Sequence, residues 1–188
     1  MQKLNNIASI GSGIYSNTNP EGEVYYLQAR DFDAAHQLET AELEPVLLRD
    51  KSIEKHFLKK GDVLVAAKSG DFFAAVYCGE VEPAVASTMF LVLRDIDQDQ
   101  ILSDFLAWYI NLPSSQELLQ RLSKGSSVQS INKKTLAELE IPLPDLKKQH
   151  LIIKISKLQV QEKNLSQQIQ ILNTQITNQQ LLNFLKSK

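Results

Sequence analysis

Two short polar segments hold the side chains best suited to contact a nucleic acid. The first, Lys68-Ser69-Gly70-Asp71, carries a cation, a hydroxyl and a carboxylate. The second, Lys124–Ser130, lies in a stretch from Arg121 to Lys134 that has four cations and no acid. Such groups can pair with phosphates or hydrogen bond to base edges. They are also ordinary turn residues, so the residues alone leave both interpretations open.

Another group of cations forms the densest basic stretch of residues 1–140. Its members are Arg49, Lys51, Lys55, Lys59, Lys60 and Lys68. Asp50, Glu54 and Asp62 offset part of this charge. The stretch is equally compatible with a solvated surface of mixed charge and with an edge that contacts phosphates.

The residues that could support catalysis are too scattered to predict an active site. His36, His56 and His150 follow no ligand or triad spacing. Cys78, the single cysteine, is expected in mid-strand as a buried small apolar residue rather than as a nucleophile. We therefore expect no catalytic residues and no cofactor.

Two further patterns favour turns over ligand sites. Gly11-Ser12-Gly13 lacks the Lys-Ser/Thr of a P-loop and the third glycine of a dinucleotide fingerprint, which favours a plain turn. Asp31 and Asp33 have no third acidic or histidine partner at a recognisable spacing. Turn chemistry is therefore favoured over a metal site.

Composition indicates a globular protein with an uneven charge distribution. The 188 residues are 43% hydrophobic and 22% charged, with a net charge of −2. Residues 1–140 hold 13 Lys and Arg against 20 Asp and Glu, whereas residues 141–188 hold 7 against 2. The acidic part argues against non-specific nucleic-acid binding by the whole surface, but it does not exclude a local basic face.

Cysteine usage and hydropathy predict where the protein resides. One cysteine permits no intrachain disulfide and suits a reducing compartment. No apolar run approaches the length of a membrane span, and the N-terminus lacks a signal-peptide pattern. We expect a cytoplasmic protein that does not contact a membrane.

Strand patterns dominate the first hundred residues. We predict strands at Val24–Arg30 and Pro45–Leu48, a helical turn or loop at Lys51–Phe57, and a hairpin over residues 61–78 whose tip is Lys68–Asp71. The run Ala84–Leu93 is predicted as one long buried strand.

Helical patterns follow after Asp99. We predict a helix Asp104–Leu112 capped by Ser103 and ended by Pro113, then a second helix through Ser123 that begins with a capping box of Ser114 and Glu117. Asn132 is expected to cap a short helix, Lys133–Leu139. The extended Ile141–Pro144 segment then leads into a long helix starting at Asp145.

The long C-terminal helix carries a narrow apolar seam. Its residues fall on a heptad rhythm at Ile155, Leu158, Leu165, Ile169, Leu172 and Ile176. With Ile155 at position a, Glu162 also falls on an a position and Gln179 on a d position. Such a narrow seam suits a partner helix better than a globular core. Packing on the chain's own domain remains the alternative.

Four stretches, taken in order, resemble one half of the specificity subunit of type I restriction–modification systems. They are Leu4–Gly13, Gly61–Leu64 with Lys68–Gly70, Leu102–Asn111, and Gly125–Ile131 continuing into Leu139–Pro144 and Gln149. The resemblance implies an α+β fold: a mixed-strand target recognition domain with flanking helices at residues 1–143, then a long coiled-coil helix at 144–188.

The resemblance also implies a function and partners. Such a subunit has no catalytic site. It recognises a bipartite sequence in double-stranded DNA and directs an adenine-specific methyltransferase subunit and a nuclease-translocase restriction subunit to it. A full subunit carries two recognition domains and two antiparallel helices, whereas this chain has room for one of each. A half-size subunit would therefore form a homodimer and read two inverted half-sites. The acidic recognition domain departs from the basic face usual in DNA readers.

These expectations give a residue map. The residues predicted to lie at DNA are Lys59, Lys60, Lys68, Ser69, Asp71, Lys124, Ser126, Ser127, Gln129, Lys133 and Lys134. The six seam residues are predicted to form the dimer. The alternative function is a non-catalytic protein-interaction module with a coiled-coil tail, which the salt dependence of binding would separate from DNA recognition.

Overall fold

The computed structural model of the chain describes residues 1–68, 72–123 and 130–186. The chain forms two compact units, Met1–His150 and Leu151–Lys188. The first unit mixes strands and helices, and the second belongs to a long C-terminal helix. The predicted α+β class is confirmed.

Short strands build three small sheets in the first unit. The strands are β1 (Gln2–Lys3), β2 (Ser9–Ser12), β3 (Val24–Leu27), β4 (Pro45–Leu47), β5 (Val63–Ala66), β6 (Ala74–Val76), β7 (Ala84–Ala86), β8 (Phe90–Arg94) and β9 (Glu140–Ile141). Four of them form a sheet in the order β2-β8-β5-β6, three form a sheet in the order β4-β3-β7, and β1 pairs with β9. The predicted hairpin over residues 61–78 is confirmed, because β5 and β6 pair antiparallel.

Helices connect and cover these sheets. They are α1 (Lys51–Glu54), α2 (Ser103–Ile110), α3 (Pro113–Leu122), α4 (Lys133–Ala137) and α5 (Leu146–Lys186), with 3-10 turns at Leu4–Asn6 and Ala29–Asp31. The second 3-10 turn ends strand β3 at Leu27, three residues before the predicted Arg30. The predicted starts of α4 and α5 are confirmed: the side chain of Asn132 accepts from Thr135 N, and that of Asp145 from Lys148 N.

The two central strands of the four-stranded sheet, β5 and β8, are buried on both faces, whereas the edge strand β2 is partly exposed. Every residue of β5 is buried, as are Phe90–Leu93 of β8. Leu64, Phe90 and Val92 pack in one cluster with Leu27 of β3, so the two larger sheets share a core. Because both faces are covered, these strands read as continuous apolar runs rather than as alternating patterns.

One strand prediction is wrong. Ala84–Leu93 is not one strand: β7 pairs parallel with β3, whereas β8 joins the other sheet. Ser87–Met89 separates them, and Phe90 N donates to Ser87 O at 3.0 Å. The two hydroxyl residues of the run, Ser87 and Thr88, lie at this break. Because threonine is also common within strands, they do not by themselves predict a change of sheet.

The predicted start of α2 and the predicted capping box of α3 are also wrong. The buried Ser103 hydroxyl donates to Gly61 O and accepts from Gln98 Nε2, and Leu102 occupies the N-cap without a side-chain bond. Pro113 is the first residue of α3 rather than the terminator of α2. Proline fits the first helical turn because its missing N–H needs no partner there.

Two side-chain amides tie α2 and the start of α5 to their neighbours. Asn111, which is partly buried, accepts from Ala74 N at 2.7 Å and donates to Ala74 O at 2.8 Å, so it extends the pairing of edge strand β6. Gln149 is fully buried; it accepts from Leu102 N and donates to the carbonyls of Gln100 and Pro144. The amide of Gln149 thus has hydrogen-bond partners for its oxygen and its nitrogen, as burial requires.

No helix in the described residues is long and apolar enough to span a membrane.

Candidate nucleic-acid interface

The four-stranded sheet has two ends, and one of them holds described residues that flank the candidate recognition segments. At this end, which we call the Phe90 end, β8 begins while β2 and β5 finish. Gly13 N donates to Phe90 O at 3.0 Å, and Ala67 N donates to Met89 O at 2.7 Å. The chain therefore leaves β5 and enters the hairpin tip beside the turn that precedes β8.

The second candidate segment returns to the same place. Ile131 N donates to Ala67 O at 2.9 Å, so the residues that follow the second segment lie beside those that open the hairpin tip. On the other side of the tip, Gln116 of α3 donates to Phe72 O at 3.0 Å. Segments more than 50 positions apart in sequence are thus anchored together.

The predicted DNA contacts near the Phe90 end fall partly within the described residues. Lys68 is exposed next to Ala67, and Lys133 and Lys134 are exposed in the first turn of α4, within three residues of Ile131. Three residues span at most about 11 Å of chain, so both lysines lie near the anchor. Ser69, Asp71, Lys124, Ser126, Ser127 and Gln129 lie outside the described residues.

Lys59 and Lys60 lie at the opposite end of β5. They precede Val63, which pairs with Leu93 at the far end of β8. The four residues of β5 cover about 13 Å. Both lysines are exposed and line an open cleft of about 710 Å³. The structure therefore does not bring them together with Lys68.

A buried ion pair organises the turn that carries Lys59 and Lys60. Asp62 is 5% exposed and accepts from Lys59 N at 3.0 Å. Arg94 Nε lies 3.3 Å from Asp62 Oδ2 without hydrogen-bond geometry, while Arg94 Nη2 donates to His56 O and Phe57 O. Arg94 is thus engaged in holding the loop.

Burial is the largest cause of two pKa shifts near this turn. It raises the pKa of Asp62 above the ordinary carboxyl value, although Lys59 N–H and Arg94 act against it. Burial also lowers the pKa of His56, with the positive charges of Lys55 and Arg94 acting in the same direction. Both shifts follow from desolvation, and they fit a structural turn with mixed charge.

An aromatic cluster lies at the Phe90 end, and it includes His36, for which the sequence predicted no role. The His36 ring stacks on Phe73, with centroids 4.7 Å apart and planes 6° apart, and Phe73 packs edge-on against Phe90. His36 has a φ of 60°, a conformation rare for non-glycine residues. Its position depends on long-range pairing of strands, so no local motif could have identified it.

The turn that holds His36 confirms the prediction for Asp33. Its Oδ1 accepts from Ala35 N and Gln37 N, each at 2.8 Å. Asp31 likewise accepts from Gln28 N in a capping arrangement. Both aspartates serve local backbone turns, and no grouping that could hold a metal ion exists among residues 1–68, 72–123 and 130–186.

Two other predictions from the sequence, for Gly11–Gly13 and for Cys78, are wrong. Gly11 lies within β2, and Gly13 packs so closely that an added Cβ would lie 1.9 Å from Ser87 O. These glycines therefore serve strand pairing and close packing rather than a plain turn. Cys78 is exposed and follows β6 rather than being buried in mid-strand, because β6 ends at Val76.

The acidity of residues 1–140 is concentrated rather than uniform. Residues 20–44 carry seven Asp and Glu against Arg30 alone. These residues form β3 and the loops around it, and Glu39, Glu42 and Glu44 are exposed. The remaining residues of the first unit are close to balanced in charge, which leaves room for a locally basic Phe90 end.

The seam of α5 is exposed along its length. All six predicted seam residues are 47–59% exposed. Leu151 lies seven residues before Leu158, is 56% exposed and extends the same row. The sequence analysis missed Leu151, although the same heptad count within the helix predicted from Asp145 identifies it.

Solved structures share this fold. One, from work on complex assembly and conformational transition of the type I R-M system, superposes with a TM-score of 0.66 at 14% identity over 88% of this chain and 43% of the other. The S subunit of a type I restriction–modification system from M. genitalium gives 0.58 at 19% identity, over 90% and 41%. The HsdS subunit from Thermoanaerobacter tengcongensis gives 0.64 at 16%, over 88% and 43%.

This chain thus spans about two fifths of the length of those proteins. No curated protein sequence matches it. The model of the type I restriction modification DNA specificity domain matches residues 5–179, which is most of the chain. The chain belongs to the family of type I restriction–modification DNA specificity domains.

Proposed function

We propose that this chain recognises a DNA sequence for a type I restriction–modification system. It would direct an adenine-specific methyltransferase subunit and a restriction subunit to that site, and it would have no catalytic site of its own. Family membership supports the DNA-recognition role. The observation that supports the site assignment is the hydrogen bond from Ile131 N to Ala67 O, since it joins the residue before the first polar segment to the residue after the second.

The residues proposed to contact DNA near the Phe90 end would bind two different parts of it, the phosphates and the base edges. Lys68, Lys124, Lys133 and Lys134 would pair with phosphates, which gives affinity but little sequence information. Ser69, Asp71, Ser126, Ser127 and Gln129 would supply groups for base edges. Lys59 and Lys60 lie at the far end of β5, and they would contact phosphates only on a DNA that extends along the sheet.

A homodimer through α5 would give the site its bipartite form. One domain reads one half-site, and a twofold dimer reads two inverted copies. Covering seven half-exposed aliphatic side chains on each copy contributes roughly 10–20 kcal/mol. Association costs about 4–15 kcal/mol, so the seam is large enough for a dimer of moderate stability.

Selection from a randomised duplex pool tests DNA recognition by the full chain. Wild type is expected to enrich one defined sequence. A quadruple variant with Lys68→Ala, Ser69→Ala, Ser126→Ala and Gln129→Ala should lose or change that preference. Lys133→Ala with Lys134→Ala should weaken all sequences alike. Lys147→Ala, at an exposed lysine early in α5, is the matched control.

Two outcomes would contradict the proposal. A quadruple variant that folds normally by circular dichroism and keeps the wild-type preference would refute the residue map. A chain that enriches no DNA sequence but binds a protein partner without salt dependence would favour the alternative, a non-catalytic interaction module.

A further inference from the structure

A third polar segment leaves the four-stranded sheet at the Phe90 end. Strand β2 finishes there, and Ile14, just beyond it, donates from its N–H to Ala86 O at 2.9 Å and forms a parallel bridge with Ser87. The loop that follows, residues 15–19, lies outside the four stretches that resemble the family. It begins at the same end of the sheet as the hairpin tip.

The distance from this loop to the hairpin tip suits a single stretch of DNA. Gly13 and Ala67 bond to neighbouring residues on opposite sides of the start of β8. Adjacent strands lie about 4.8 Å apart, so these two residues are about 10 Å from each other. Tyr15 follows Gly13 by at most about 7 Å of chain. At 3.4 Å per base pair, the combined reach is about five base pairs.

Both ends of the loop are fixed by hydrogen bonds and close packing. The hydroxyl of Tyr26 donates to Ile14 O at 2.9 Å, and Asn19 N donates to Val46 O at 2.6 Å. A Cβ added at Gly22 would lie 2.4 Å from backbone atoms of β4, so the chain beyond the loop also packs tightly. A loop that is ordered before binding loses less conformational entropy when it binds.

Between these anchors, two side chains project into solvent and contact each other. Tyr15 is 79% exposed, and Asn17 is also exposed. The Tyr15 hydroxyl donates to Asn17 Oδ1 at 3.3 Å, which is long for a hydroxyl donor. The second lone pair of Oδ1 and the amide nitrogen of Asn17 are left to bind another molecule.

Charge separates this part of the loop from the acidic residues 20–44. Residues 1–20 contain one lysine and no acid. Thr18 lines an open cleft of about 810 Å³ together with glutamates of the acidic segment. Phosphates would be repelled from that cleft, so contact with DNA is expected to end at Asn17.

We infer that Asn17 reads an A·T base pair in the major groove and that Tyr15 is a positioning residue that orients the Asn17 amide. The inference rests on the proposed function and deepens it by adding a base-reading residue and the base pair it selects. Asparagine binds adenine through two hydrogen bonds, with its oxygen accepting from N6 and its nitrogen donating to N7. Guanine offers two acceptors at the equivalent positions, so the same amide discriminates against it.

Selection from a randomised duplex pool, with each base position scored separately, tests this assignment in the full chain. Wild type is expected to require adenine at one position of its site. Asn17→Ala should reduce that preference roughly 5- to 100-fold and leave the other positions unchanged. Asn6→Ala is the matched control, because Asn6 is exposed and precedes Ser9, which pairs with Arg94 at the far end of β8.

Tyr15→Phe tests the positioning role while keeping the aromatic ring. It should relax the same base position by a smaller factor than Asn17→Ala, because the hydroxyl contact is long. In the Asn17→Ala background, Tyr15→Phe should have no further effect, since the two residues act as one unit. Equal effects in both backgrounds, or a weakening of all sequences alike, would overturn the positioning role.

The remaining outcomes separate this inference from the proposed function. If Asn17→Ala folds normally by circular dichroism and keeps every base preference, or weakens all sequences equally, Asn17 does not read a base. Recognition by the other two segments would then stand on its own selection results. If wild type enriches no sequence at all, the inference and the proposed function are both refuted.

Discussion

At the scale of single residues, side-chain amides connect distant parts of the first unit. Gln149 is the clearest case, since its three hydrogen bonds join the first turn of α5 to the Gln100–Leu102 segment and to Pro144. The side chain is fully buried, so water cannot replace a lost partner. Removing such a buried side chain destabilises the protein mainly because its hydrogen-bond partners are then left unpaired.

Replacing Gln149 by leucine is therefore expected to destabilise the protein strongly. The change keeps the volume but leaves Leu102 N and two carbonyls without their partner. We expect a loss of about 2–4 kcal/mol in the free energy of unfolding, measured by urea denaturation. His150→Ala, an exposed change on the same turn, should stay within about 0.5 kcal/mol of wild type. Equal stabilities for the two variants would contradict this role.

Residue-level reasoning from sequence succeeded where the partner is local. Asp33, Asn132 and Asp145 each bond to a backbone N–H within four residues, and their types and spacing predict this. It failed for Ser103, whose hydroxyl bonds to Gly61 from 42 positions away. A serine before a helix has the same local pattern whether it caps the helix or bonds to a distant carbonyl.

At the scale of elements, the hairpin β5–β6 and the long helix were predictable, whereas the division between β7 and β8 was not. Turn residues and helical periodicity are encoded locally. The sheet that a buried strand joins depends on which neighbours cover it. The polar residues of Ala84–Leu93, Ser87 and Thr88, are also compatible with one continuous strand, so they did not reveal the change of sheet. The same limit applies to His36, which reaches the Phe90 end only through the packing of Phe73.

The two faces of α5 allow a matched test of the seam. Leu165→Gln, Ile169→Gln and Leu172→Gln together should convert a dimer into a monomer, because they remove the central apolar layers. Val160, Ile171 and Leu181 are similarly exposed and lie at heptad positions f, c and f, on nearly the opposite side of the helix. Changing those three to Gln should leave the dimer intact.

Light scattering over a concentration series gives the masses, and circular dichroism confirms that both variants stay helical. If both triple variants dissociate, association depends on general apolarity rather than on the seam. If wild type is a monomer throughout, the seam serves another protein and the symmetric DNA site is lost with the dimer.

At the scale of the whole molecule, the charge distribution determines the affinity and the salt dependence expected for DNA binding. The acidic residues 20–44 repel phosphates, while the cations of the two recognition segments attract them. In the proposed function, the first unit would bind DNA through a small basic area on a domain that also carries this acidic segment. Modest affinity with strong salt sensitivity is the physical consequence.

Neutralising the exposed acids should raise DNA affinity without changing sequence preference. Glu39→Gln, Glu42→Gln and Glu44→Gln remove long-range repulsion but touch no residue of the proposed interface. We expect a several-fold gain in affinity at low salt, and the gain should fade as the Debye length drops to about 3 Å near 1 M salt. Fluorescence anisotropy of a labelled duplex across a salt series measures both effects.

The same series separates DNA recognition from protein docking. Each phosphate contact contributes about −0.9 to the slope of log K against log salt. A dimer that contacts phosphates through Lys68, Lys124, Lys133 and Lys134 of each copy would give a slope of up to about −7. Lys133→Ala in both copies should lower the magnitude of this slope by about 2. If the slope is near zero and no lysine substitution changes it, the Phe90 end does not bind phosphates. The acidic surface would then indicate a basic protein partner instead.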